Sequence, residues 1–161
     1  MPGVNTELSS YAGSISTRLE RAVACLDGLT ESQLNWRPAI DGANSAYALA
    51  AHTLGNARAW VLGIACGRDI RRDRPAEFRA TGADAARLRD DLARLSREIA
   101  EALAALDPAQ LDRRLIPAQE LWGGSAPHEI SVRDALMQVV EHASLHIGHL
   151  QMTRDLALKQ G

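Results

Sequence analysis

The C-terminal segment 131–158 reads SVRDALMQVVEHASLHIGHLQMTRDLAL, and it decides the fold prediction. Its apolar residues recur at three- and four-residue steps, which predicts one long amphipathic helix. Ser131 is a suitable N-cap for that helix. The face that carries the apolar residues also carries His142, His146 and His149. Packing alone does not account for a core-facing stripe that changes from valine to histidine.

His142 and His146 are four residues apart, so their side chains lie one turn above each other on a helix. Two imidazoles at this spacing form a recurrent metal clamp. A buried imidazole whose ring nitrogens lack partners costs roughly 1–3 kcal/mol. One metal ion would satisfy several of these nitrogens at once. The pair therefore predicts a metal site that needs at least one further ligand.

The composition predicts an ordinary water-soluble protein. The chain has 161 residues, of which 46 % are hydrophobic and 24 % are charged, and this size is most simply one domain over residues 1–161. Aromatic residues make up only 4 % and the net charge is −2. Both values argue against a nucleic-acid partner or an anionic membrane surface.

The cell compartment is predicted from three features. The start of the chain lacks a basic-then-apolar signal pattern, and no apolar run approaches the ~18–20 residues that a membrane span needs. Cys25 and Cys66 are far apart and form no CxxC motif, so we expect two reduced thiols. These features together predict a cytoplasmic protein.

Three more helices are predicted upstream, and their residues are 6–27, 45–66 and 82–106. A capping-box pattern at Thr30 and Gln33 adds a short helical turn within the first connection. The fold prediction is therefore all-α, a four-helix bundle with a long crossover loop, residues 107–131, between helices three and four.

Helix two carries the histidine that would complete the site. Leu49, His52, Asn56, Trp60 and Ile64 share one face of it by their spacing. A lone histidine on such a face is more often a hydrogen-bonded core residue, but the downstream pair favours a ligand. Facing helices of a bundle build metal sites, and three protein ligands leave a position for water or substrate. We therefore predict that the metal ligands are His52, His142 and His146.

Two connections could contribute to function. Segment 68–75 is rich in arginine and aspartate; a solvated loop is the plainer interpretation, and recruitment of a phosphate or carboxylate is the alternative. Segment 107–131 is long for a loop in a compact domain. Its apolar residues favour an ordered lid, and its anchors are Leu115, Ile116, Leu121 and Trp122. His128 and Glu129, near its end, are expected to be a solvent-exposed pair.

The sequence resembles the DinB-like (DinB/YfiT) superfamily of metal-binding four-helix-bundle proteins over nearly the whole chain. The resemblance rests on QLNWRP at 33–38, AAHTL at 50–54 with Trp60 beyond it, and EHASLHIGH at 141–149. It implies that the three predicted ligands bind zinc, nickel or iron. Characterised relatives include transferases and isomerases that use low-molecular-weight thiols such as bacillithiol or mycothiol.

The chain departs from the family pattern after the second histidine of helix four, where Arg-Gly-Gln is common. Ile147 and His149 stand in place of the arginine and the glutamine. His149 lies about 10 Å along the helix from His142, so we predict that it faces the substrate or supports the ligands rather than binding the same ion. Glu141 points about 100° away from His142. We nevertheless assign His149 and Glu141 as the candidate catalytic residues, with the 122–129 loop shaping access.

The functional prediction is a metal-dependent S-transferase or isomerase that activates a small thiol and acts on a small electrophile. The alternative is a metal-binding bundle without turnover, serving as a stress-associated or interaction module. A metal-free protein with hydrogen-bonded core histidines is a third interpretation. We also expect a homodimer, and the regularly spaced leucines of helix three would serve either that contact or the core.

Overall fold

The computed structural model describes residues 6–160, and they form an all-α structure with one very small sheet. The helices are α1 Thr6–Ala24, α2 Glu31–Asn35, α3 Ala46–Ala57, α4 Arg74–Arg79, α5 Ala86–Ala105 and α6 Val132–Ala157. The predicted helices one, three and four are thus observed as α1, α5 and α6, each somewhat shorter than predicted. The predicted turn is α2, and Thr30 and Gln33 form its capping box.

The predicted second helix consists of an α-helix followed by a π-helix. Ser45 caps α3 by accepting a hydrogen bond from the backbone N–H of Ala48 at 3.1 Å. Beyond α3 the chain continues as a π-helix over Arg58–Ala65. The backbone N–H of Cys66 closes it on the carbonyl of Val61 at 2.9 Å. Such wider turns are frequent at functional sites because they redirect side chains.

The expectation of a plain solvated loop over 68–75 is wrong in two respects. Asp73 caps helix α4, because its carboxylate accepts a hydrogen bond from the backbone N–H of Ala76 at 2.9 Å. Arg72 is buried, with a side chain only 7 % exposed. Helix α4 packs on α3. This segment is therefore part of the framework around His52.

Segment 107–131 is ordered by short elements. Two 3₁₀ turns, Pro108–Asp112 and Gln119–Leu121, flank strand β1, which is Arg114–Leu115. Strand β2, Ile130–Ser131, pairs with it in antiparallel fashion and leads directly into α6. Of the predicted anchors, Ile116 is wrong because its side chain is 64 % exposed.

The core lies between α1, α5, α6 and the α3–π segment, which pack on one another. Helix α5 places most of its apolar stripe in this core, including Leu88, Leu95 and Leu103. These leucines are therefore core residues and not a free dimer surface. Within residues 6–160, every helix is too short or too polar to cross a membrane.

Candidate metal centre

The three predicted ligands come together between two packed helices. His52 lies on α3 and is 3 % exposed, whereas His142 and His146 lie on α6 and are half-buried. Each ring offers one nitrogen, and the three nitrogens lie within 4.8 Å of one another. The Nε2 atoms of His52 and His142 are 3.1 Å apart. The rings of His142 and His146 have their centres 4.4 Å apart.

A buried ion pair holds His52 from behind. Its Nδ1 lies 2.9 Å from a carboxylate oxygen of Glu77. Arg72 donates to both oxygens of the same carboxylate, with two hydrogen bonds of 2.8 Å. Burial raises the pKa of Glu77, but the hydrogen bonds from His52 and Arg72 outweigh it and hold that pKa below its usual value. The ionised carboxylate places the His52 proton on Nδ1 and leaves Nε2 facing the cluster.

Two neighbours fix the place of this carboxylate and of the ring. A Cβ atom added to Gly55, one turn after His52 on α3, would lie 2.0 Å from Oε1 of Glu77, so only glycine leaves room for the carboxylate. The ring of Phe78 on α4 stacks on His52, with centres 4.3 Å apart and planes inclined by 26°. The carboxylate of Glu77 therefore holds one edge of the His52 ring, and the Phe78 ring covers one of its faces.

The two histidines of α6 are uncharged at neutral pH. Burial, followed by the nearby positive charges, lowers the pKa of His142 to about 3 and that of His146 to about 4. Neutral imidazole is the form that binds a metal ion. The charges that act most on His142 belong to His146, His52, Arg72 and Arg74. All of these groups are basic, so the site favours neutral rings over imidazolium.

The residues fit a metal ion on the chemistry of their donor atoms. Nδ1 of His146 is buried and has no hydrogen-bond partner in the described part of the chain, which is a costly arrangement for a protein alone. Nε2 of His52 faces Nε2 of His142. The carboxylate behind His52 reproduces the support that metal-binding histidines commonly receive. Three histidines in this arrangement could hold a divalent ion.

Comparison with known families agrees with this geometry. The family model described as the DinB superfamily matches residues 15–150. The chain belongs to the DinB superfamily. The matched range contains all three histidines, so the resemblance stated from the sequence is confirmed. No curated protein matches the chain.

The other site residues predicted for this DinB protein lie outside the three-histidine cluster. The exposed His149 has its ring centre 5.4 Å from that of His146, on the outer side. Glu141 is also exposed and lines a separate cavity of about 400 Å³. That cavity is shared by His128 and Glu129, which are exposed as expected. The structure thus places His149 at the edge of the cluster and does not bring Glu141 into it.

Sequence reasoning missed the residues that support His52. Glu77 follows His52 by 25 positions, and Arg72 stands in a run that its composition marks as a loop. No periodic pattern links either residue to one of the long helices. One local signal was present, because Asp73 followed by Arg74 and Pro75 is a typical helix start. It predicts α4, although not the contact that α4 makes.

Proposed function

We propose that this DinB protein is a metal-dependent enzyme that activates a low-molecular-weight thiol for transfer to, or isomerisation of, a small electrophile. The single observation that carries the proposal is the convergence of three imidazole nitrogens within 4.8 Å. His52, His142 and His146 would hold zinc, nickel or iron. Among three neutral ligands a bound divalent ion would keep its full charge and would lower the pKa of a thiol, so that thiolate would exist at neutral pH.

The chain's own residues prepare this site. Glu77 and Phe78 fix the ring of His52, so one ligand is already oriented before a metal arrives. His149 is the exposed imidazole nearest the cluster, and we assign it to carry the proton released by the thiol to solvent. Glu141 is also a candidate base, but its position in a separate cavity makes it a residue that shapes access rather than one that touches the thiol.

Metal content and thiol consumption test this proposal in one preparation. The full chain is purified without a histidine tag, its metal is measured by elemental analysis, and thiol loss is then followed with a generic electrophile. We expect about one ion per chain, since residues 6–160 contain one such cluster, and metal-dependent consumption of thiol. The matched control is the chelated protein, reloaded afterwards with the same metal.

Each outcome of that experiment separates the alternatives. One ion without turnover across several thiols would overturn the enzyme proposal and favour a metal-binding bundle with an interaction role. No metal after reloading would mean that the histidines are core residues. Turnover that survives chelation would place the chemistry outside the histidine cluster.

We interpret the helical packing as one four-helix-bundle domain, built from α1, the α3–π segment, α5 and α6, with segment 107–131 as the crossover. We further propose a homodimer through α6, because its exposed face carries Leu145, Met152 and Leu156 at helical spacing. Sedimentation of the wild-type protein and of a Met152→Lys variant tests this contact. A cytoplasmic location stays a prediction.

A further inference from the structure

Arg74 is the one feature of segment 68–75 that the proposed function leaves unused. Its side chain is half-buried, and the guanidinium carbon lies 4.9 Å from the centre of the Phe78 ring. Phe78 in turn stacks on His52. Its Nη2 atom also lies 3.5 Å from the position that a Cβ on Gly123 would take. Arg74 therefore lies close both to the ring that stacks on His52 and to Gly123 of the crossover segment.

The guanidinium of Arg74 has no counter-ion among the described residues. Within residues 6–160, no carboxylate lies within 4.0 Å of it. Its charge nevertheless lies close to the cluster, because the Phe78 ring beneath the guanidinium stacks on His52. A half-buried arginine without a carboxylate partner keeps guanidinium N–H groups that can bind an anion.

The charges around the cluster indicate which kind of group would pair with Arg74. The positive charge of Arg72 is cancelled by Glu77 through two hydrogen bonds. Imidazoles that bind a metal ion do so in the neutral form. With a divalent ion bound, the site would carry the two positive charges of the ion and the one of Arg74. The carboxylate of Glu77 already pairs with Arg72, so it does not balance them. One free planar guanidinium matches a single carboxylate, which it can bind through two parallel hydrogen bonds.

We propose that Arg74 binds a carboxylate of the small-molecule thiol, and so selects thiols that carry an acid group a few bonds from the sulfur. The inference rests on the proposed function, because it assumes that the thiol reaches the three histidines. Arg74 holds the acid group while the sulfur faces the metal site. No bond is made or broken by Arg74, so its effect is on binding and selection.

A pair of probes that differ only in charge tests the proposal. The full chain is loaded with Co²⁺ and titrated with 3-mercaptopropionate or with its neutral amide, and binding is followed by the visible absorption of the bound cobalt. We expect the acid to bind about 10-fold or more tightly than the amide, as a charge-assisted contact would give. Arg74→Gln should remove that preference and leave the amide affinity nearly unchanged.

The matched control is Arg71→Gln, an exposed arginine of the same run, which should keep the wild-type preference. Equal affinities for acid and amide in the wild-type protein, or a preference that survives Arg74→Gln, would overturn the assignment of Arg74. If neither thiol binds, the proposed thiol function fails instead. Thiol-free succinate then decides about Arg74: a melting-temperature increase in the wild type that Arg74→Gln abolishes supports anion binding, and no increase overturns it.

Discussion

The two helices that supply the histidines hold them in different ways. On α3, His52 is nearly inaccessible, and its Nδ1 faces the carboxylate of Glu77. On α6, neither His142 nor His146 hydrogen-bonds to any described residue outside the cluster, and Nδ1 of His146 has no hydrogen-bond partner anywhere in residues 6–160. One side of the site is therefore fixed by protein contacts, and the other side depends on whatever the three rings bind.

The difference separates two sources of metal affinity. The α3 side supplies preorganisation, because the Arg72–Glu77 pair sets the ring orientation before binding. The α6 side supplies donor atoms that lost their water when the chain folded, so binding an ion does not add that free-energy cost again. Variants of the α6 side should therefore remove metal binding, whereas variants of the α3 support should weaken it.

The largest effect is expected from the α6 side. His142→Ala removes a ligand, so metal affinity should fall by more than the roughly 10- to 100-fold that loss of a supporting residue costs. His128→Ala is the matched control, since His128 is exposed and lies outside the cluster. Elemental analysis after dialysis against a weak chelator measures the difference. Equal metal content in the two variants would show that the cluster is not the metal site.

A methyl group on the α3 side should act next most strongly. Gly55→Ala places a Cβ atom 2.0 Å from Oε1 of Glu77, so the carboxylate must leave its position behind His52. We expect metal affinity to fall about 10- to 100-fold. Competition with a chromophoric chelator measures that affinity.

The control for this variant is Gly13→Ala on α1, where nothing lies within 4 Å of the added Cβ. It should leave metal affinity unchanged and increase the free energy of unfolding by about 0.5–1 kcal/mol, because alanine is the better helix former. Unchanged metal affinity in Gly55→Ala would mean that the support of His52 by Glu77 is irrelevant to binding.

Glu77→Gln should have a smaller effect, since the amide keeps the shape and one acceptor but loses the charge. We expect metal affinity to fall about 10-fold. Arg72 then lacks a charged partner, so the free energy of unfolding of the metal-free protein should fall by about 1–3 kcal/mol. Isothermal titration and urea unfolding measure the two quantities. In combination with Gly55→Ala the losses of affinity should not add, because both changes remove the same support.

The sequence predicts the α6 side of the site well and the α3 side poorly, for a physical reason. His142 and His146 are neighbours on one helix, so their spacing alone predicts that they converge. His52 could be placed on a core-facing stripe by the same periodicity. Glu77 contacts His52 only because α4 folds back on α3, and no local pattern encodes that contact.

The limits of the fold prediction have the same origin. The four long helices follow from apolar periodicity, which is a local property. The π-helix at Arg58–Ala65 does not follow, because a nearly uniform apolar run leaves the winding unspecified by the pattern. Gly55 resembles an ordinary helical glycine in the sequence, and only the packing shows that its missing side chain makes room for a carboxylate.

The smallest effect is expected at Ser131, the N-cap of α6, which lies 11 residues before His142. The carboxylate of Asp134 accepts hydrogen bonds from the backbone N–H and the hydroxyl of Ser131, and these contacts hold its pKa below the usual value. A depressed folded-state pKa stabilises the protein above the pKa of the unfolded chain. This contribution is lost as the pH falls through the folded-state pKa.

Asp134→Asn should therefore lower the stability of the protein at pH 7 and make that stability decline less steeply in acid, while Asp155→Asn near the other end of α6 should do neither. Thermal unfolding between pH 2 and pH 7 (roughly the range over which carboxylates titrate) tests both variants.

Metal affinity should stay at the wild-type value in both variants, because the α6 histidines depend on the ion and on their neighbours rather than on the helix start. A loss of metal binding in Asp134→Asn would show that the α6 side is also preorganised by the protein, and the contrast between the two helices would then be wrong.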